Sequence, residues 1–467
     1  MRIRMCTCDR ALYARRRAAF SDAMAARGNS GNGSSRSAGE DGSDAVAILP
    51  AAPVFTRNND VEHDYRQDSD LFYMTGFDEP SSVLVLHGGP SAPSGDAGAK
   101  RKSTMFVRPR DPEREIWDGP RAGVDGVKTG YGVDESFVIA DLAEQLPKLL
   151  QNKRRLYYRI GRDRAFDDKV LEAIDKARGR ARLGVTWPTE ILDPGPIVHE
   201  MRLFKQPEDL AAMNTAAKIT HEAHVRAMAA TRAGMHEYEL EALLLETFRK
   251  HGSERAAYGS IVGSGPNATI LHYRSNNRRM EAGELLLIDA GCEYGYYASD
   301  VTRTWPVSGK FSREQQAIYE LVLESQVAGI ELTRAGSTLD AIHKKCVEVI
   351  TRGLVKLGLL TGEVDKLIEG EAYKPFYMHR TSHWLGMDVH DVGAYFVDGK
   401  PRKLEPGMVL TVEPGIYIGR EYDKVAPEWR GIGVRIEDDI LVTDGAPMNL
   451  TESIPKTVAE IERACAA

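Results

Sequence analysis

Two kinds of hydrophobic spacing alternate along this chain, and their arrangement changes near residue 198. Before that point the short apolar runs 45–49, 82–86, 103–107 and 155–158, set off by Gly, Pro and charged turns, predict strands. Apolar positions at helical spacing predict helices over 9–27, 139–151 and 164–177. In the first of these the apolar positions are Leu12, Ala18, Ala19, Phe20, Met24 and Ala25. Strands alternating with helices predict an α/β domain on a parallel or mixed sheet. The Pro-rich stretch 187–196 reads as an interdomain connection, which divides the chain into domains 1–197 and 198–467.

Beyond the connection the helical patterns lengthen, to 207–231 and 235–251, and a strand-rich region opens at Ile261. Two more helices, 312–335 and 338–357, precede a second set of strands. The order helix, helix, strands, repeated once, predicts an α+β domain with a curved antiparallel sheet backed by helices. No sequence repeat accompanies that order. The Gly- and Ser-rich stretch 28–44 predicts a flexible loop.

Composition narrows the class of protein. The chain has 467 residues, 42% hydrophobic and 28% charged, which bounds it as globular with two or three domains. A net charge of −7 provides no general attraction to nucleic acid or anionic membranes, and no run of 18 apolar residues is present. Five cysteines, an odd number without paired spacing, point to a reducing, cytoplasmic setting; Cys6-Thr-Cys8 lacks the gap of a zinc or redox pair. Arginines crowd the N-terminus, but Asp9 and Asp22 interrupt them, which argues against a targeting peptide.

Candidate chemistry gathers in the second half. In the hairpin 285–304 a turn centred between Tyr294 and Gly295 pairs Asp289 with Asp300, and opposed like charges call for a multivalent cation. A turn shifted by one residue would leave both as solvated strand residues. Three of the chain's 12 histidines, His379, His383 and His390, fall within 377–393. Glu413 ends an apolar strand at Pro414-Gly415. Arg435 and Glu437 share a strand face by the two-residue period, as a functional pair or a solvated ladder. The glycine-rich 261–273 lacks Gly-Lys-Ser/Thr and reads as a strand, turn and strand delivering His272. Asp289, Asp300, His383, Glu413 and Glu437 form an oxygen-rich donor set that suits two divalent ions, Mn²⁺ before zinc, cobalt or iron.

The wording and order of Ile288-Asp-Ala-Gly, Ser299-Asp-Val-Thr-Arg-Thr, Ser382-His-Trp-Leu-Gly-Met-Asp-Val-His-Asp, Thr411-Val-Glu-Pro-Gly and Arg435-Ile-Glu-Asp-Asp resemble the proline-specific pita-bread metallopeptidases. In the first domain Arg57-Asn-Asn-Asp and 65–80 are similar to the N-terminal signature of the aminopeptidase P branch. The resemblance implies hydrolysis of the bond between an N-terminal residue and a following proline. It implies that Asp289 binds the second metal, that Asp300 and Glu437 bridge, and that His383 and Glu413 complete the first. Water held between the metals would attack the carbonyl, with Glu413 as proton shuttle and His390 and His272 orienting substrate. His379, Arg435, Tyr417 and Trp117 would serve substrate binding, with core packing as the competing reading for Trp117. Dimers or tetramers are implied as well.

Arg380 departs from the family's pattern, in which glycine commonly follows His379. A prolidase cutting Xaa-Pro dipeptides is the competing enzyme reading. A silent scaffold on the same fold would be expected to lack ligands, and all five are present here.

Overall fold

The computed structural model describes residues 9–28, 44–88 and 102–467. The stretch 29–43, most of the expected loop, and the Cys6-Thr-Cys8 pair lie outside the described residues. The chain forms two compact units, Met1–Met201 and Arg202–Ala467. The join expected at Val198 lies within the helix Gly195–Leu203.

In the first unit six strands form one mixed sheet: β1 (Ala45–Pro50), β2 (Val83–His87), β3 (Lys102–Val107), β4 (Glu135–Val138), β5 (Arg155–Tyr157) and β6 (Glu190–Leu192), in the order β4-β3-β2-β1-β5-β6. The β1–β2 and β2–β3 pairs are antiparallel, and the remaining pairs are parallel. Val46, Ile48, Val85 and Phe106 pack with Leu142, Leu146, Phe166 and Val170 from helices α2 (Leu142–Leu149) and α3 (Arg164–Arg178). The Pro-rich stretch expected to be only a connection supplies β6, because the Glu190–Leu192 backbone pairs alongside β5.

Helix α1 (Arg10–Gly28) buries Leu12, Phe20 and Met24 as its spacing predicts, but Ala19 is exposed. Arg16 and Arg17 are buried instead. Their guanidinium groups donate to the carbonyls of Tyr73, Met74, Tyr131 and Gly132, so the charge enters the interior against main-chain oxygens.

The second unit opens with α4 (Pro207–Ala230) and α5 (Glu237–Lys250), and continues after the first strands with α6 (Arg313–Glu331) and α7 (Leu339–Lys356). Pro207 at the first turn of α4, Ser312 with Gln315 as a capping box on α6, and the Thr338 hydroxyl at the start of α7 fix where these helices begin. All strand pairs of this unit are antiparallel: β7 (Ile261–Ser264), β8 (Leu285–Asp289) and β11 (Thr302–Pro306) form one sheet, with the hairpin β9 (Cys292–Tyr294) and β10 (Tyr297–Ala298) between the last two. Strands β12 (Val409–Val412) and β15 (Asp438–Leu441) pair, as do β13 (Gly415–Ile418) and β14 (Ile432–Arg435). The Thr302 carbonyl accepting from the Glu437 amide, and Thr304 Oγ1 bonded to the Arg435 backbone, join these ladders into one bent surface. Its back packs on the helices through Leu286, Ile288, Trp305, Val322, Ile342 and Ile350.

Candidate metal centre

The hairpin that carries the two aspartates turns at Gly295 and Tyr296, both at positive φ (58° and 70°). Two-residue hairpin turns of this kind need left-handed backbone at both central positions, and that fixes the pairing. Tyr294 pairs with Tyr297, and Asp289 pairs with Thr302. The expected pairing of Asp289 with Asp300 is therefore off by one step in the turn centre. Asp300 instead lies diagonal to Asp289, opposite Gly291. The solvated alternative fails too, since the aspartates are only 9% and 5% exposed. Tyr258, which no sequence motif flagged, joins them: its hydroxyl lies 2.6 Å from Asp289 Oδ1 and 2.5 Å from Asp300 Oδ1.

Residues 381–385 run along β12, with the amide of Thr411 donating to the His383 carbonyl at 3.0 Å and that of Glu413 to the Thr381 carbonyl at 2.8 Å. This pairing sets His383 beside Glu413. His383 Nε2 is 3.3 Å from Asp300 Oδ2 and 3.6 Å from Glu413 Oε1. Glu437 sits in the break between β14 and β15 and accepts from Thr302 Oγ1 at 2.6 Å, while Arg435 Nε donates to the same oxygen at 3.0 Å. Arg435 and Glu437 thus share one side, but both are buried, so they are not a solvated ladder. One ligand atom each from Asp300, His383 and Glu437 lies within 4.8 Å of the others. Asp289, outside that trio, pairs with Arg435, whose Nη2 is 2.6 Å from Asp289 Oδ2.

The electrostatics call for added positive charge. Burial raises the pKa of Asp289 against the pull of Arg435, and burial with the charges of Asp300 and Glu413 raises Glu437 well above the carboxylate range. Glu413 is pushed up to about 8 by burial, against the pull of His383 and Arg435. Burial disfavours protonated His383, yet Asp300 and Glu413 outweigh it and lift the group to about 9. Protons on this cluster hold places that divalent ions can take. The fit extends to the imidazole: Nδ1 of His383 is 3.0 Å from the Trp384 carbonyl, and donating there leaves the Nε2 lone pair aimed at the carboxylates.

The remaining candidates differ in their surroundings. The His390 ring lies 4.3 Å, centroid to centroid, from that of His383; partial desolvation and the charge of His383 lower its pKa. His379 Nε2 is 2.9 Å from the Tyr417 hydroxyl, to which Arg435 Nη1 donates at 3.0 Å. Burial and Arg435 depress His379 to about 3, while burial raises Tyr417 to about 12. His272 is exposed, and its charge contributes to lowering both His379 and His390. It does not arrive on a returning strand. Pro266, lacking an amide N–H, starts the 3₁₀ turn Gly265–Thr269 after β7, and an irregular segment follows. Arg380 is 65% exposed and faces Asp340 at 3.4 Å rather than the ligands. Trp117, in the first unit, is 84% exposed, so it is not a core residue.

A bent antiparallel surface with four carboxylates and an imidazole converging on it defines a metal-dependent hydrolase. The chain belongs to metallopeptidase family M24, whose profile matches residues 211–444, and the profile of the aminopeptidase P N-terminal domain matches 13–157. Among its relatives is the Xaa-Pro aminopeptidase of Escherichia coli K12, 47% identical over 90% of this chain and 93% of that one. Human Xaa-Pro aminopeptidase 3 is 35% identical, over 91% and 82%. A solved structure of Pseudomonas aeruginosa aminopeptidase PepP aligns over 98% of both chains with a TM-score of 0.90 and 49% identity. A zinc-substituted E. coli aminopeptidase P with product is similar at the same TM-score and 44% identity. The fold is the two-domain, pita-bread architecture of these enzymes, and the chain is a metallopeptidase.

Proposed function

We propose that this chain is a metal-dependent Xaa-Pro aminopeptidase, releasing an N-terminal residue from peptides with proline second. The observation that carries this is the convergence of Asp300, His383 and Glu437 within 4.8 Å, flanked by Glu413 and the linked His379, Tyr417 and Arg435. Two divalent ions, Mn²⁺ in first place because the donors are mostly oxygens, would be held by Asp289, Asp300, His383, Glu413 and Glu437. Such ions supply Lewis acidity and a lowered pKa for bound water.

The chain's own groups do the rest. Glu413, 3.6 Å from His383 Nε2, takes a proton from the attacking water and delivers it to the departing proline nitrogen as the C–N bond breaks. His390 and His272, both exposed beside the ligands, orient the peptide carbonyl and its developing oxyanion. An Xaa-Pro amide has no N–H, so strand-like pairing cannot read it, and the ring must be read by shape. His379 and Tyr417 form that wall, with Arg435 bracing it. Asp289 receives the substrate's free amine, which limits cleavage to the N-terminus. A homodimer or homotetramer belongs to this reading as well. The free Cys292, Cys346 and Cys465 support a reducing, cytoplasmic location; among the described residues no helix is long and apolar enough to cross a membrane.

The test is to strip the protein with chelator, restore Mn²⁺, and offer an Xaa-Pro dipeptide beside an Xaa-Pro-Yaa tripeptide. Release of the first residue from the tripeptide is expected. Cleavage confined to the dipeptide makes the chain a prolidase, and no metal-dependent turnover of either refutes both readings.

A further inference from the structure

The loop between His383 and His390 is shaped by a buried charge cluster of Arg202, Lys205, Asp388 and Asp391. After Leu385 the chain leaves β12 and folds back, with the Asp391 amide donating to the Trp384 carbonyl at 2.8 Å. The Asp391 side chain, 1% exposed, receives Arg202 Nη2 on one oxygen at 2.6 Å and Lys205 Nζ on the other at 3.0 Å. Arg202 also reaches Asp388 at 2.8 Å, and the Asp388 amide points at Asp391 Oδ1 at 3.5 Å. Two cations and two carboxylates therefore close the loop onto the segment Arg202–Lys205. Room for the carboxylate exists because residue 386 is glycine: a Cβ there would stand 2.1 Å from Asp391 Oδ2. The Gly386 carbonyl in turn accepts from the Ala298 amide at 2.8 Å, two residues before Asp300.

His383 does not depend on this closure, since its amide and carbonyl are bound to Thr411. His390 has no such support of its own and is the residue next to Asp391. We propose that Asp391, gripped by Arg202 and Lys205, is a positioning residue that sets the 386–391 loop so that His390 faces His383 across the site. The inference rests on reading His390 as a substrate-facing group.

Because Thr411 holds His383 independently of the loop, the proposal requires that replacing Asp391 act through His390, lowering kcat and leaving metal binding intact. The experiment is a double-mutant cycle on the Mn²⁺-loaded full chain with an Xaa-Pro-Yaa peptide: parent, Asp391→Asn, His390→Ala and both. Asp391→Asn is expected to lose about 10- to 100-fold in kcat, the scale of an ångström-level misplacement, with KM and the Mn²⁺ dissociation constant close to those of the parent. The double variant is expected to be no worse than His390→Ala alone. Losses that multiply, or loss of metal in Asp391→Asn, overturn the proposal while leaving the role of His390 standing. A fully active His390→Ala overturns that role and the proposal with it. Should Asp391→Asn fail to fold, Asp391→Asn with Lys205→Met removes the unpaired buried cation and takes its place in the cycle. Failure of that variant as well makes Asp391 a folding residue and ends the proposal.

Discussion

Replacing Gly291 with alanine tests how tightly hairpin geometry governs the metal centre. A Cβ built on Gly291 would lie 1.8 Å from the Ser299 carbonyl oxygen, where real Cβ contacts do not fall below 3.0 Å. The backbone leading into Asp300 must then retreat by the difference, about 1.2 Å, because a packed interior has no slack to absorb it elsewhere. The retreat is opposed on both sides by the bonds from Ala290 to Val301 at 3.0 Å and from Ser299 to Cys292 at 3.1 Å. Overpacking of this kind costs about 1–3 kcal/mol of stability. A displacement of about 1 Å at a reacting centre costs about 100-fold in rate. Gly291→Ala should therefore stay folded, with a modestly lowered Tm, and lose about 100-fold in kcat/KM on an Xaa-Pro-Yaa peptide at saturating Mn²⁺. Gly295→Ala is the control, since its added Cβ meets only Ala212 at 3.8 Å and its cost is the positive φ of 58°. It should lose stability by roughly 1 kcal/mol and keep its activity. Parent-like activity in Gly291→Ala would show that Asp300 tolerates the shift, and the geometric reasoning would fail.

Glu413→Gln keeps the size of the side chain but removes its proton exchange; kcat should drop by about 10²- to 10⁴-fold, and a stopped-flow trace with near-parent turnover would exclude the shuttle role. Tyr258→Phe removes the hydroxyl shared by Asp289 and Asp300, and Mn²⁺ affinity should weaken by about 10- to 100-fold in calorimetric titration; an unchanged dissociation constant would count against it. His224 is fully buried, and burial lowers its pKa to about 4 from 6.5, so the unfolded chain binds more protons between those values. Stability should fall as pH drops from 6.5 to 4, with His224 contributing up to about 3 kcal/mol of the loss. His224→Gln should flatten that dependence in urea unfolding at the two pH values, and identical slopes would refute the assignment.

Helices and strands with strong periodicity were legible to within a few residues: 207–231 became Pro207–Ala230, and 164–177 became Arg164–Arg178. The candidate ligands Asp300, His383 and Glu437, which the fold brings together, were legible because each sits in a distinctive run ending a strand or leaving one. What escaped was pairing and partnership. The hairpin register depends on where two residues adopt positive φ, and Tyr296, a non-glycine, gives no sign that it will. Tyr258 sits in an unremarkable Ala-Ala-Tyr-Gly run, and only the folded chain brings its hydroxyl between two aspartates. Arg16 and Arg17 broke the amphipathic pattern of their helix because carbonyls from distant segments await them. Periodicity describes a face; it does not describe what that face meets.

The hydrogen-bonded line from His379 through Tyr417 and Arg435 to Asp289 joins the proposed proline wall and one proposed metal ligand in a single relay. Under the proposed reading, a proline ring pressed against His379 and an ion drawing on Asp289 act on the same guanidinium from opposite ends. Linkage then requires that whatever one does to the binding of the other is returned in equal measure. The enzyme's grip on its metal should accordingly differ between the free protein and the protein holding a proline product, and the coupling of proline binding to metal retention is one thermodynamic quantity.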